Sequence, residues 1–547
     1  MRVVIVGGVA GGMSAATRLR RLDADAEIIV LEKSGHVSYA NCGLPYYVGG
    51  IIEEEESLFL QTPESLHARF RLDVRVSSEV RRINPFAKTI EVLDLNTETT
   101  SEIAYDKLIL SPGASPVIPP IPGIEHAITL RTVEDVKRIV VRVEQKPKNA
   151  VVIGGGFIGL EVAENLVHKG IPTTIVEALP QVLAPLDPEM ATLVADELVM
   201  HGVRVLLGNA VESITAKSVR LASGEELPSE LLILAIGVRP DIALAKLAGL
   251  KIGERGGIEV DDFNRTSDPD IYAVGDAAEK RDSIDGSATL VPLANLANRH
   301  GRVVADHIAG REVRTVATIG TAIVKVFDLT IATTGWNEKR LVTQKRGFHA
   351  IHTHPASHAG YYPGARPMSL KLLFDDLTGE ILGAQGVGTE GVDKRIDVIA
   401  TAMRGGITAP ELADLELAYA PPFGSAKDPV NMLGYIAENR FSGLSKAAQW
   451  NEVEQYRNRG FEIVDVRTDG EFARGSIPHS INIPIDELRE RISEIPSHDI
   501  VVSCEVGVRG HSAALLLQEL GFNAVNLDGG YQTWSQSPAN MSAPVLN

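Results

Sequence analysis

The sequence predicts an α/β fold in which a buried parallel strand feeds a helix through a glycine-rich turn, and it predicts this unit twice. Residues 2–6 are a continuous apolar run after Arg2, as expected of a parallel strand buried on both faces. Gly7-Gly8-Val9-Ala10-Gly11-Gly12 follows, then a helical segment from Met13 to about Leu22. A second apolar run, Ile28–Leu31, ends at Glu32. The same order returns at Ala150-Val151-Val152-Ile153, the turn Gly154-Gly155-Gly156-Phe157-Ile158-Gly159, a helix through about Lys169, and a strand Thr173–Val176 ending at Glu177.

This order is the fingerprint of a Rossmann-like dinucleotide cradle. Glycines such as Gly7, Gly8, Gly11 and Gly12 let the backbone approach a pyrophosphate at a helix N-terminus, and an acid about twenty residues on takes a ribose hydroxyl. In the first copy Val9 stands where the middle glycine of the motif belongs; the second copy keeps Gly154, Gly156 and Gly159. Two cradles imply two dinucleotides, and electron transfer between them is the simplest reason. Glu177 would hydrogen-bond a ribose 2′-OH and repel a 2′-phosphate, and Ala178-Leu179-Pro180 brings no arginine, so NADH is predicted over NADPH.

Composition bounds the rest. The 547 residues suggest three to four domains at roughly 150 residues each. A net charge of −18 argues against a nucleic-acid or anionic-membrane partner. Two cysteines, Cys42 and Cys504, form neither a disulfide framework nor a metal-ligand spacing, so no metal is expected and a reducing cytoplasm fits. The N-terminus runs straight into a strand and no apolar run is long enough to span a bilayer, so neither a signal peptide nor a membrane span is expected.

Between and after the cradles the chain repeats a strand ending in a tight turn, Leu108-Ile109-Leu110-Ser111-Pro112-Gly113 and Leu232-Ile233-Leu234-Ala235-Ile236-Gly237. Ile271-Tyr272-Ala273-Val274-Gly275-Asp276-Ala277 reads as a strand running into a helix start. There Asp276 suits either a sugar-alcohol chain or an ordinary N-cap. Together these segments resemble the pyridine nucleotide-disulfide oxidoreductase family over roughly residues 1–437. The resemblance implies an FAD domain at 1–115 and 240–315, an NADH domain at 116–239 and an α+β dimerisation domain at 316–437.

Cys42 lies in Ser38-Tyr39-Ala40-Asn41-Cys42-Gly43-Leu44-Pro45-Tyr46-Tyr47 and reads as the redox nucleophile, whose site should lower the thiol pKa. Dithiol members of the family carry a second cysteine where this chain has Tyr47. A lone thiol works instead as a mixed disulfide, persulfide or sulfenic acid. The stretch resembles coenzyme A-disulfide reductases and NADH-dependent persulfide or polysulfide reductases. NADH peroxidases and oxidases are the rival, but they carry a histidine where this chain has Ala10. The resemblance places Ser38 and Asn41 beside the substrate sulfur, and Ser14, Arg18 and Arg21 on the CoA nucleotide. From sequence alone, Arg18 and Arg21 at i,i+3 fit a solvated helix face as well. It also implies that Tyr361 and Tyr419 reach the active site from the partner subunit of a homodimer, and that Lys427 contacts CoA. A packing or turn role fits those tyrosines too.

After a short linker at 438–448, residues 449–547 alternate strands and helices as a separate α/β domain. A strand Ile500–Ser503 meets Cys504-Glu505-Val506-Gly507-Val508-Arg509-Gly510, then a helix from about His511. A cysteine there sits among convergent backbone N–H groups that stabilise a thiolate or anion. The segment resembles a rhodanese sulfurtransferase domain, with Cys504 as the persulfide carrier and Arg509 closing a loop too short for a phosphate. Glu505 is acidic and would disfavour thiosulfate. The expectation is an enzyme in which Cys504 handles sulfane sulfur while Cys42 reduces a CoA-persulfide, polysulfide or CoA-disulfide with NADH. An oxygen-reducing NADH oxidase and a redox-sensing sulfur relay are the alternatives.

Overall fold

The computed structural model describes residues 1–541; residues 542–547, the tail of the expected rhodanese segment, lie outside the described residues. The chain forms two compact units, Met1–Ala178 with Gly202–Ile319, and Leu179–His201 with the chain from Gly320 onward.

The first unit holds two five-stranded parallel sheets of like topology. In one, the strand order is Ile271–Ala273, Lys107–Leu110, Arg2–Val6, Glu27–Leu31 and Asp73–Arg75. In the other it is Arg204–Leu206, Thr173–Val176, Ala150–Ile153, Leu231–Leu234 and Ile128–Thr129. Val3–Val6 and Ala150–Ile153 are buried on both faces, which explains their unbroken apolar runs. Each of these two strands lies between the strand that follows it in sequence and a later one. Strand order therefore reverses at its C-terminal end, where the glycine turn sits. Each half adds a three-stranded antiparallel sheet, Ser78–Asn84 with Thr89–Asp94 and Thr99–Ala104, and Val211–Ile214 with Ser218–Leu221 and Glu226–Pro228.

The second unit combines an antiparallel sheet with a parallel one. The antiparallel sheet runs Ala322–Val326, Leu329–Gly335, Ile381–Gly388, Met368–Asp375 and Phe348–Thr353. Helices Val392–Gly405 and Pro429–Phe441 cover one of its faces through Ile396, Ile399, Val430 and Leu433. The parallel sheet runs Ala447–Ala448, Asn523–Leu527, Asp499–Ser503, Glu462–Asp465 and Ile481–Asn482. Within the segment 438–448, helix Pro429–Phe441 is still running at its start and Ala447–Ala448 already pairs as a strand at its end.

Two local expectations are corrected. The helix expected at Gly275-Asp276 is a single 3₁₀ turn, Gly275–Ala277, because Gly275 sits at φ 71° and breaks the helical path; the next α-helix starts at Ala294. The helix after Cys504 begins at Val508 rather than His511, with Gly507 left-handed at its N-cap. Among the described residues no helix is long and apolar enough to cross a membrane.

Candidate active site

Cys42 lies in a 3₁₀ turn, Asn41–Gly43, that leads into the short helix Leu44–Gly49, and it is exposed. The approach to it is tightly held. Ser38 takes a left-handed backbone at φ 48°, with its N–H donating to Gly8 O at 2.8 Å and its carbonyl accepting from Leu60 N at 3.0 Å. Asn41 is gripped by Arg131. Oriented to satisfy both amide atoms, Asn41 donates to the Arg131 carbonyl at 2.8 Å and accepts from its guanidinium at 3.1 Å. The same guanidinium donates to Ala114 O at 3.1 Å and to Asp276 Oδ2 at 3.0 Å. Arg131 thus ties the cysteine turn to Asp276.

The electrostatics of Cys42 differ from expectation. Desolvation by the protein around it, then the Glu161 carboxylate, push the thiol pKa up, while Arg131 pulls the other way. Burial in turn raises Glu161 to about 7, against the hydrogen bond that Tyr46 Oη donates to its Oε1 at 3.4 Å. Both shifts favour the protonated forms of Cys42 and Glu161.

The two cradles are built alike. Glu32 Oε2 accepts from Gly8 N at 2.7 Å, and Glu177 Oε2 accepts from Gly155 N at 2.7 Å. A Cβ on Gly12 would lie 1.9 Å from Gly7 O, and one on Gly159 would lie 2.0 Å from Gly154 O, so both helices start hard against their own turns. Gly11 packs under Ser111 and Val274.

The basic residues of the first cradle helix, Ala10–Leu22, do not form a free pair. Arg18 donates to Asp306 Oδ1 at 2.6 Å, while Arg21 stacks its guanidinium 5.5 Å from the Phe70 ring. Ser14 Oγ donates to Asn298 Oδ1 at 2.8 Å. Asp306 also meets Arg311 at 3.4 Å and Arg302 at 3.9 Å, so three arginines gather round one carboxylate.

In the second unit, Tyr361 and Tyr419 are exposed and their hydroxyls share a hydrogen bond of 2.8 Å. Lys427 is exposed, one residue before Asp428, which caps helix Pro429–Phe441 and pairs with Arg395 at 2.9 Å. Cys504 is buried, and its Sγ accepts from Gly507 N at 3.2 Å. Arg509 makes a bidentate pair with Glu471, at 2.8 and 2.6 Å.

The comparisons bear on this geometry. Residues 1–301 match the pyridine nucleotide-disulphide oxidoreductase family, residues 321–429 its dimerisation domain, and residues 449–537 a rhodanese-like domain. A coenzyme A disulfide reductase of Staphylococcus aureus strain JH9 is 36% identical over 442 residues, which are 80% of this chain and all of that protein. The chain belongs to the pyridine nucleotide-disulphide oxidoreductase family. It is an oxidoreductase carrying a C-terminal rhodanese-like domain. Two solved structures match nearly end to end. One, described as reduced CoADR-RHD of Bacillus anthracis, is 48% identical with a TM-score of 0.96, covering 98% of each chain. The other, an NAD-dependent persulfide reductase from A. fulgidus, is 39% identical with a TM-score of 0.92, covering 98% of this chain and all of that one.

Membership implies FAD and a nicotinamide dinucleotide, and the cradles fit both. Neither cradle helix has a side-chain cap, at Val9 or at Gly156, so no capping side chain competes with an anion for the first-turn N–H groups. Nothing lies within 4 Å of a Cβ built on Gly156, which leaves room for a pyrophosphate. Sequence reading missed Arg131 and Glu161. Arg131 is a lone basic residue before a capped helix, and Glu161 is one of two acids within an apolar helix; neither carries a motif.

Proposed function

We propose that this oxidoreductase uses FAD and NADH to reduce CoA-persulfide, polysulfide or CoA-disulfide at Cys42, and that Cys504 handles the sulfane sulfur. One observation carries the reading: a single exposed thiol in a turn that Arg131 clamps to Asp276, with Tyr47 where a resolving cysteine would stand. Without an internal partner, any second sulfur on this thiol comes from substrate. The names of the similar proteins, a coenzyme A disulfide reductase and an NAD-dependent persulfide reductase, support this substrate class.

FAD would be held by the first cradle with Glu32 and Asp276, NADH by the second with Glu177. When bound, the two cofactors supply the electron pair that returns Cys42 to its reduced form. Everything else falls to the chain. Cys42 Sγ attacks a substrate sulfur, so that one S–S bond forms as another breaks and a thiolate or hydrosulfide departs. Asn41 and Ser38 fix the turn that aims it. The hydrogen-bonded Tyr361 and Tyr419 hydroxyls, presented by the partner subunit of a homodimer, protonate the departing sulfur. Ser14, Arg21, Lys427 and the arginine cluster round Asp306, Arg18 included, receive the CoA nucleotide, since guanidinium suits phosphate geometry.

The test is NADH oxidation without oxygen, with CoA-persulfide and with CoA-disulfide. Turnover with at least one, abolished in Cys42→Ser, is expected. Inertness toward both refutes the assignment. Rapid NADH consumption by oxygen alone, retained when Cys504 is replaced, would identify an oxidase instead.

A further inference from the structure

The loop of Cys504 is flanked by two arginines, and carboxylates neutralise both. Arg467 is almost fully buried, donates to Asp465 at 2.8 and 3.0 Å and to Glu505 Oε2 at 2.9 Å, and spends another donor on Gly475 O at 2.7 Å. Its Cζ lies over the Tyr531 ring, 4.1 Å from the centroid, so one face of the guanidinium is covered as well. Arg509 is closed by the bidentate Glu471, whose Oε2 also accepts from the Thr468 N–H and hydroxyl. Counting Asp465, Glu471 and Glu505 against Arg467 and Arg509, these five groups sum to one negative charge before Cys504 ionises. Glu505 directly follows the cysteine and is the member of its ion pair that solvent reaches, at 41% against 2% for Arg467.

We propose that Glu505, held by Arg467 at the mouth of the Cys504 loop, selects sulfur donors that carry at most one charge, removable by a proton, at the transferring sulfur, such as alkyl persulfides, and turns away the thiosulfate dianion. This rests on the sulfur-transfer role of Cys504 put forward above. Thiosulfate is a dianion that leaves as sulfite, another dianion, so a free cation near the sulfur favours both its binding and its departure. Neither guanidinium is free to serve. An alkyl persulfide needs none. The Cys504 thiolate attacks the terminal sulfur of R–S–SH, the old S–S bond breaks as the new one forms, the proton stays on the transferred sulfur and R–S⁻ leaves with the electron pair. No net oxidation occurs. The amide-rich pantetheine end of CoA is of this class, since its charges lie far from its sulfur.

The experiment compares kcat/KM for thiosulfate and for pantetheine persulfide in the full-length protein, with cyanide as sulfur acceptor. Wild type is expected to favour the persulfide. Glu505→Gln should raise the thiosulfate-to-persulfide ratio by roughly tenfold, the scale of one nearby charge in a partly screened site. Glu471→Gln, which frees Arg509 instead, should move the ratio the same way. Added salt should lift the wild-type thiosulfate rate, because screening weakens the repulsion. A ratio unmoved by both substitutions and by salt, or a wild type that prefers thiosulfate, overturns the proposal. Failure of any donor to leave a persulfide on Cys504, read by intact mass, overturns the sulfur-transfer reading itself.

Discussion

A single residue, Glu161, sets the protonation problem this site has to solve. Its carboxyl titrates near neutrality because burial penalises the charged form, and it adds to the desolvation that already raises Cys42. Arg131 opposes both effects on the thiol from within its clamp on Asn41 and Asp276. Opposite substitutions should then shift the thiol in opposite directions. In a Cys504→Ser background, which leaves one cysteine, Glu161→Gln should move the pH midpoint of Cys42 alkylation by iodoacetamide downward. Below that midpoint the rate should rise by roughly threefold. Arg131→Gln should move the midpoint upward. Equal midpoints in all three proteins would show that the raised thiol comes from desolvation alone.

At the scale of elements, what was legible in the sequence is what is local. Each cradle lies within about thirty residues, and burial on both strand faces writes itself as an unbroken apolar run. Thr173–Val176 is a strand over those very residues. The antiparallel sheets at 78–104 and 211–228 escaped the reading: Ser78–Asn84 and Thr99–Ala104 bury few or irregularly spaced residues, and the alternation of Thr89–Asp94 and Ser218–Leu221 spans only two buried positions each. Arg131 was hidden for another reason: its partner Asp276 is 145 residues away, and one basic residue has no spacing to read. The Tyr361–Tyr419 hydrogen bond, across 58 residues, was equally out of reach as a contact, although resemblance singled out both residues. The cradle glycines also predict a contrast. A methyl on Gly159 meets Gly154 O at 2.0 Å, so Gly159→Ala should destabilise the protein by about 1–3 kcal/mol through overpacking. Gly156→Ala meets nothing within 4 Å at an ordinary φ of −83°, so it should leave the melting temperature nearly unchanged and raise KM for NADH. A Gly156→Ala protein that melts early while keeping its KM would reverse the roles assigned to the two positions.

Over the second unit as a whole, a buried chain of charges links the antiparallel sheet, helix Pro188–Met200 and the rhodanese-like domain. Lys371, fully buried, pairs with Asp187 at 3.0 Å, Glu189 at 2.5 Å and Glu338 at 2.6 Å, so an ammonium fills the place three carboxylates would offer a metal. Glu189 meets His352 Nε2 at 3.0 Å, and His352 donates to Asp528 from Nδ1 at 2.6 Å and from its backbone N–H at 2.9 Å. Both ring nitrogens face carboxylates, which only an imidazolium satisfies. Burial disfavours that charge, but the two hydrogen bonds prevail and raise His352 from 6.5 to about 9. The folded value lies above the unfolded one. The stabilisation is therefore complete below about pH 6.5 and is lost as pH rises through about 9. Asp528 leads into Gly529-Gly530, and Tyr531 N donates to Cys504 O at 2.7 Å, so this clamp sits directly behind the Cys504 loop. Removing one partner from a buried pair costs about 3–5 kcal/mol. His352→Gln should thus let the rhodanese-like domain come away from the sheet. Chymotrypsin cleavage at the exposed Phe441 and Leu444, corrected for its own rate on a peptide, should be slow at pH 7.5 and faster at pH 9.5 in wild type. In His352→Gln it should be fast at both. Wild-type cleavage that ignores pH and matches the variant would show that His352 carries no part of the docking.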